Sequence, residues 1–209
     1  LTATLSAHRL KKLRGQLRKL AEQGRVEWRL LVGDAVSPAA IEQFLALEDT
    51  GWRREGGTSM RSRPGHAAFF REMIEGFRRD QRVFFTELVV DGKVLASTSN
   101  IVSGRAGFAF KIGWDPGYSK FSPGILNEVE LVRCAHTRFP HLDYIDSGAA
   151  EDSFIESLWA GRATLTSGVL VTSPLARSLL TAMSWLRTAK RYLQHLGLNP
   201  AQAGPSQQP

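Results

Sequence analysis

Three apolar stretches follow one another almost without interruption between residues 83 and 114. Asp91-Gly92 separates the first from the second, and Ser103-Gly104 precedes the third. Asp-Gly between two apolar runs is a strong signal for a two-residue hairpin, because that turn needs residues that tolerate a positive φ. The sequence therefore predicts an antiparallel meander of three strands. They are expected over residues 83–90, 93–102 and 106–114.

Helices are predicted on both sides of this meander, where apolar residues recur every three or four positions. Ser6 is an N-cap candidate for the first helix, and Ser37-Pro38 opens the second with proline at a tolerated position. The other helices are expected over residues 67–79, 122–138 and 173–196, with a loop over 51–65 and a helical turn over 154–159. The helix over 67–79 is expected to bury Phe69, Phe70, Met73, Ile74 and Phe77. Further strands are expected over residues 26–32, 142–145 and 163–172.

This order of elements predicts an α/β (α+β) domain with a mixed, mainly antiparallel sheet flanked by helices. The antiparallel strands lead into one strand–helix–strand crossover. The predicted organisation is a basic amphipathic helix over residues 1–24, the α/β domain over 25–172, an amphipathic helix over 173–198 and a disordered tail over 199–209.

Composition sets broader limits. The chain has 209 residues, a net charge of +7 and a pI of about 10.0. Cys134 is the single cysteine and forms no intramolecular disulfide, so the cytoplasm is the default location. No basic-then-apolar leader and no apolar run of about 20 residues is visible. The first residue is Leu1, which suggests a piece of a longer chain.

Several chemistries lack their motifs. The five histidines have no paired-ligand spacing, so no metal site is expected. No Gly-x-Ser-x-Gly elbow, phosphate-binding loop or dinucleotide fingerprint follows a predicted strand. Serine hydrolysis and nucleotide-dependent phosphoryl transfer are therefore disfavoured.

The junction between the third meander strand and the next helix is the main remaining candidate site. Ser122-Pro123-Gly124 begins that helix, and unpaired N–H groups at a helix start suit a pyrophosphate or a developing oxyanion. Lys111 and Lys120 add positive charge nearby. Acidic and phenolic groups in the same region that could accept or orient a proton are Asp115, Tyr118, Glu128 and Glu130. A plain helix cap is the alternative interpretation of Ser-Pro-Gly.

Four segments in this order resemble the C-terminal half of GNAT-superfamily acetyltransferases of the CelD type, which are similar to the FemABX aminoacyltransferases. The segments are FLALEDTGW at 44–52, GT at 57–58, KIGWD at 111–115 with Tyr118, and SPGILNE at 122–128. The basic first helix and residues 146–159 match as well. The resemblance spans residues 6–172.

The resemblance implies a GNAT fold and transfer of an acyl group to an amine or hydroxyl acceptor. It implies acetyl-CoA or another acyl-CoA as co-substrate, with no tightly bound cofactor. The donor would lie along residues 108–114 and 122–124, where the implied contacts are Lys111, Gly113, Trp114, Ser122, Pro123 and Gly124. The implied acceptor contacts are Trp52, Thr58, Asp146 and Trp159.

Two departures limit this resemblance. The glycine-rich pyrophosphate loop of ordinary GNAT enzymes is absent, and the preceding, similar half of related proteins is missing. The expected partners are a saccharide, peptide or small-molecule acceptor related to the cell envelope or to polysaccharide, and that preceding half in the full-length protein.

The candidate bases are Glu48, Asp115 and Glu128, and Tyr118 is a candidate partner for the leaving group. Each has a structural alternative: Glu48 could pair with Arg53, Asp115 could organise its turn, and Glu128 could face solvent. The tryptophans could equally be core or rim packing.

Three other functions remain open. The basic first helix could bind nucleic acid, although no helix-turn-helix or stacking motif accompanies it. The last helix could contact the inner face of a membrane, since Leu175, Leu179 and Leu186 oppose basic residues. The domain could also be a non-catalytic GNAT half that completes an interface.

Overall fold

A computed structural model describes residues 5–149, 153, 155–159, 161–164 and 168–195, with side chains omitted at residue 52 and at 186–195. Contacts divide the chain into two units, Leu1–Gly161 and Arg162–Pro209. Among the described residues, the first unit holds the sheet and five α-helices, and the second holds one α-helix.

The sheet has five strands in the order of the sequence. The strands are β1 (Val26–Val32), β2 (Val83–Val90), β3 (Lys93–Ser103), β4 (Ala106–Trp114) and β5 (Tyr144–Asp146). The pairs from β1 to β4 are antiparallel, whereas β4 and β5 are parallel. This arrangement confirms both the predicted meander and the predicted crossover.

The helices are α1 (Ala7–Ala21), α2 (Pro38–Glu48), α3 (Gly51–Glu55), α4 (His66–Arg79), α5 (Pro123–Arg138) and α6 (Pro174–His195). Ser6 caps α1 by accepting from the N–H of Arg9, and Ser37 caps α2 by accepting from Ala40. These hydroxyls satisfy backbone donors that the first helical turn leaves unpaired.

Alternating residues of the central strands face two different cores. Phe85 packs with Phe44 of α2 and Phe70 of α4 on what we call the α2 face of the sheet. Leu88 packs with Leu13 of α1 and Leu126 of α5 on the opposite, α5 face. Side chains alternate along a strand, so these two residues lie on opposite faces of the sheet. Each face is therefore covered by helices. The predicted fold class is confirmed.

Some local predictions were wrong. The expected loop over 51–65 contains α3 and a 3₁₀ turn at Met60–Ser62. Phe69 is 58% exposed, because Phe70 and Ile74, four positions apart, set the buried face of α4. The described residues within 163–172 form no strand, and Val169 and Leu170 are exposed, so neither gains the burial that stabilises a strand. The predicted tail over 199–209 lies outside the described residues.

Within the described residues, no helix is long and apolar enough to cross a membrane.

Candidate active site

One edge of β4 loses its strand partner partway along its length. β3 pairs with β4 from Ala106 to Trp114, whereas β5 pairs only with Ala106, Gly107 and Phe108. A Cβ on Gly148 would lie 2.8 Å from the carbonyl oxygen of Ala109, so the chain after β5 still approaches β4 there. Among the described residues, no strand pairs with this edge over 109–114. Such an edge can accept an extended ligand as a further strand.

A β-bulge lies on β4 at the same level. Ser99 is opposite Lys111 and Asn100 is opposite Ala109, which leaves Phe110 as the extra residue. A bulge disrupts the ladder locally and re-aims side chains, and bulges are common beside active sites. The Phe110 ring stacks on Phe70 with 6.0 Å between ring centroids.

Lys111 and Glu48 form an ion pair on the α2 face. The Lys111 ammonium lies 2.8 Å from Glu48 Oε1 and donates to the carbonyl oxygen of Thr58 at 3.3 Å. The other carboxylate oxygen of Glu48 accepts from the N–H of Met60 at 2.8 Å. The Glu48 side chain is fully buried, whereas 27% of the Lys111 side chain is exposed. The pair therefore joins β4, α2 and residues 57–60, and Lys111 is its more exposed member.

The sequence left open whether Glu48 pairs with Arg53. The structure gives Glu48 a direct ion pair with Lys111. Burial lowers the pKa of Arg53, while the nearby charge of Glu48 opposes that shift.

Gly113 allows α2 to approach β4 closely. A Cβ at Gly113 would lie 2.8 Å from the backbone nitrogen of Glu48 and 3.0 Å from its Cα. Because these contacts are backbone atoms, no rotamer change relieves them. Gly113 therefore holds Glu48 within reach of Lys111.

Gly113→Ala should destabilise the domain by about 1–3 kcal/mol, the usual cost of overpacking. Gly76→Ala is the matched control, because a Cβ there meets nothing within 4 Å in the interior of α4. That control should gain about 0.5–1 kcal/mol from higher helix propensity. Urea unfolding measures both variants, and equal stability for the two would contradict the close approach at Gly113.

Asp115 is held by its own turn. It accepts from the N–H of Gly117 at 2.8 Å and pairs with Lys93 at 2.7 Å. The Lys93 ammonium also lies 4.7 Å from the centre of the Tyr118 ring. Hydrogen bonds from Lys93 and Gly117 outweigh burial and hold the pKa of Asp115 below its usual range. This geometry matches the turn-organising alternative for Asp115.

The first turn of α5 is packed inside the domain. Pro123 and Gly124 are buried, and a Cβ at Gly124 would lie 3.4 Å from both Ile112 and Trp114. Ser122 has φ 53°, and its hydroxyl accepts from Gln16 of α1 at 2.9 Å. The open helix start suggested by the sequence is thus covered by α1 and β4. The donor-binding roles of Ser122, Pro123 and Gly124 stay predictions.

Glu128 is buried on the α5 face, so the solvent-facing alternative is wrong. Its Oε1 accepts from the Thr98 hydroxyl at 2.6 Å, whereas its Oε2 has no hydrogen-bond partner in the described structure. Burial raises the pKa of Glu128 to about 7, although the Thr98 hydrogen bond acts in the opposite direction. Gly124, one helical turn earlier, packs on β4, so Glu128 faces the same side of α5.

The remaining predicted residues are placed separately. Thr58 contributes its carbonyl oxygen to the Lys111 site. Asp146 accepts from the N–H of Gly148 just beyond β5. Trp159 packs against the apolar core on the α5 face. The side chain of Trp52 lies outside the described residues. Burial raises the pKa of Cys134, which fits a packing role.

Sequence analysis missed a polar network beneath α5. Asn127 donates to Thr86 and Thr98, and its oxygen accepts from the indole N–H of Trp28 at 3.0 Å. The available signal was the run Ser97-Thr98-Ser99-Asn100 in the middle of a predicted strand, where all four residues are buried. Buried polar groups need partners, so such a run indicates a network on both faces of the sheet.

A family model described as "Acetyltransferase (GNAT) domain" matches residues 7–156. The sequence matches none of the curated proteins compared with it. An acetyltransferase from Trypanosoma brucei is 17% identical with a TM-score of 0.46, over 71% of this chain and 100% of that one. A ribosomal-protein-alanine N-acetyltransferase from Brucella melitensis is 14% identical with a TM-score of 0.45. The match covers 71% of this chain and 100% of that one. The structure of AAC(6')-Iy in complex with the bisubstrate analog CoA-S-monomethyl-acetylneamine is also similar. That protein is 11% identical with a TM-score of 0.48, and the match covers 72% of this chain and 100% of that one.

Proposed function

The chain belongs to the GNAT acetyltransferase family, and on that premise we propose that it transfers an acyl group from an acyl-CoA thioester to an amine or hydroxyl acceptor. The family match agrees with the predicted GNAT acetyltransferase. The CelD and FemABX relationship, the cell-envelope or polysaccharide acceptor, the cytoplasmic location and the preceding GNAT-like half remain proposals.

The observation that carries the donor site is the unpaired edge of β4. The amide groups of a thioester arm can hydrogen bond to this edge in the manner of an added strand. The bulge at Phe110 lies at the level where β5 ends its pairing, which favours this point for the thioester carbonyl. Main-chain N–H groups beside a bulge suit an oxyanion.

Lys111 is the group that we assign to the reacting centre. It lies on β4 beyond the residues that pair with β5, its side chain is 27% exposed, and Glu48 and Thr58 contact its ammonium. In the reaction, the acceptor nitrogen or oxygen attacks the thioester carbon. Lys111 stabilises the charge on the carbonyl oxygen until the carbon–sulfur bond breaks.

Proton transfer completes this step. The acceptor loses one proton, and the departing CoA thiolate takes up one, so that the products are the acylated acceptor and free CoA. We propose that Glu48 accepts the proton through a water molecule, since its carboxylate is the one beside Lys111. Tyr118 packs against the apolar core on the α5 face, and its hydrogen bond to the thiolate stays a prediction from the sequence.

Blocking the β4 edge tests the donor site. Ala109→Trp places a large side chain where β5 leaves β4 and should weaken acetyl-CoA binding at least about tenfold by steric exclusion. Ala68→Trp, at an exposed position of α4, should change the affinity less than about twofold. Calorimetry with acetyl-CoA and longer acyl-CoAs, together with thiol release on adding a primary amine, measures donor binding and turnover.

The outcomes are distinct. If neither this chain nor a longer version that includes the preceding residues binds any acyl-CoA, the acyl-CoA donor is ruled out. If only the longer version binds, the donor site spans both halves. Equal acetyl-CoA affinity of Ala109→Trp and Ala68→Trp would show that the donor does not bind at the β4 edge.

A further inference from the structure

An apolar groove lies between α1 and α5 on the α5 face of the sheet. Its volume is about 420 Å³, within the range of roughly 300–1,000 Å³ that is common for small-molecule sites. Leu88 of β2 forms part of its lining. The walls are aliphatic residues of the two helices: Leu10, Leu13, Leu17, Leu126, Val129 and Val132. The Lys111 and Glu48 pair lies on the opposite face, so the groove is separate from the proposed active site.

The lining favours a flexible hydrocarbon chain over an aromatic ligand. All the apolar residues that line the groove are leucine or valine. Leu17 is 36% exposed, which leaves an apolar surface accessible from solvent. A saturated chain adapts its shape to such a surface and gains about fourfold in affinity for each methylene buried.

The charged residues that line the groove are Arg14, Arg133 and Glu130, two positive and one negative. Arg14 of α1 lines the groove, while Glu130 of α5 is held by Arg133 with 2.7 Å between the charged atoms. The sequence of α1 contains no acidic residue. Its basic residues are Arg9, Lys11, Lys12, Arg14, Arg18 and Lys19. A hydrocarbon chain with an anionic head group complements this combination of apolar walls and positive charge.

We propose that this groove binds the single acyl chain of a monomeric anionic amphiphile, with its carboxylate or phosphate head group at Arg14. The charge pattern disfavours a second copy of this chain as the occupant. The sequence of α1 contains basic residues and no acidic residue, so charge repulsion opposes α1 of a second copy.

The test uses the full chain with decanoate, dodecanoate and dodecyltrimethylammonium, each below its critical micelle concentration. Calorimetry should show binding of dodecanoate, with an affinity up to about fifteenfold above that of decanoate, since two methylenes are added. Dodecyltrimethylammonium has the same chain with a cationic head and should bind at least about threefold more weakly.

Two matched pairs of variants locate the site. Val129→Trp fills the groove and should lower dodecanoate affinity at least about tenfold, whereas Val32→Trp, at an exposed position of β1, should have no effect. Arg14→Glu should weaken binding about threefold to tenfold, and Arg18→Glu on the same helix should weaken it less. If Val129→Trp does not fold by circular dichroism, Leu17→Trp at the exposed part of the groove replaces it.

Several results would overturn the proposal. They are absence of dodecanoate binding, equal affinity for the cationic amphiphile, or equal effects within either matched pair. Binding that appears only with anionic phospholipid vesicles would assign the surface to a bilayer instead. A concentration-dependent dimer by sedimentation that Val129→Trp abolishes would assign the groove to a second copy. Acyl-CoA binding is measured separately, so failure here leaves the proposed transferase function untouched.

Discussion

Replacing Lys111 by methionine is expected to lower the free energy of unfolding by about 3 kcal/mol. The Glu48 carboxylate is fully buried, and Lys111 supplies its opposite charge at 2.8 Å. Methionine retains much of the side-chain volume but removes the paired ammonium, so the buried carboxylate keeps the Met60 N–H and the nearby charge of Arg53. Removing one partner of a buried pair costs about 3–5 kcal/mol, and the partial exposure of Lys111 argues for the lower end.

Lys93→Met provides the matched control for that prediction. Lys93 pairs with Asp115 at 2.7 Å, almost the same separation, but 57% of its side chain is exposed. An exposed pair contributes about 0–1 kcal/mol, so the control should lose no more than that. Adding Glu48→Gln to Lys111→Met should recover part of the loss, because the neutral amide removes the unpaired charge and still accepts from Met60. Urea unfolding at neutral pH measures all four proteins, and similar small losses for both lysine variants would contradict the buried pair.

Glu128→Gln is expected to be more stable than the parent protein at pH 8. The difference in free energy of unfolding between variant and parent should be larger at pH 8 than at pH 4, by up to about 3 kcal/mol. Burial raises the folded-state pKa of Glu128 to about 7, against 4.5 for the unfolded chain. Below pH 4.5 both states hold the proton, and the group makes no contribution. Between pH 4.5 and about 7 only the unfolded state ionises, so the parent loses stability as the pH rises. Each unit of that pKa difference corresponds to about 1.4 kcal/mol.

Above pH 7 the penalty in the parent is constant, whereas the glutamine variant never carries it. Glu75→Gln is a control with the opposite sign, because hydrogen bonds from Arg78 lower the pKa of Glu75 to about 2. Relative to the parent, that variant should lose stability between about pH 2 and 4.5, where only the folded state is ionised, by an amount that solvent screening keeps small. Above pH 4.5 its difference from the parent should stay constant. Unfolding in urea at pH 4, 6 and 8 gives the comparison. A constant difference between Glu128→Gln and the parent across this range would show that Glu128 is ionised throughout in the folded state.

The two carboxylates illustrate how differently a candidate base can be placed. Glu48 is buried but paired with the partly exposed Lys111, whereas Glu128 is buried against Thr98 with one oxygen unpartnered in the described structure. We therefore assign the reacting centre to Lys111 and Glu48. Among the described residues Glu128 forms no ion pair, and its role in acyl transfer stays a prediction.

The amino-acid sequence by itself determined the local elements of this protein. Asp91-Gly92 specified a hairpin because only a few residues accept the backbone angles of that turn, and both residues have positive φ in the structure. Ser6 and Ser37 specified helix starts for the same kind of local reason, since each hydroxyl bonds to a backbone group three residues away. The motif order also indicated the GNAT family, to which the match over residues 7–156 assigns the chain.

Only the tertiary structure decided what those elements bring together. Lys111 and Glu48 are 63 positions apart, and their pairing depends on the close approach of α2 to Gly113. The covering of Gly124 by β4, the burial of Glu128 and the exposure of Phe69 likewise depend on which neighbours pack against each helix face. Capping and turn chemistry act over three or four residues and are visible in the sequence. Burial and charge pairing depend on distances between segments far apart in the chain, which packing of the whole domain sets.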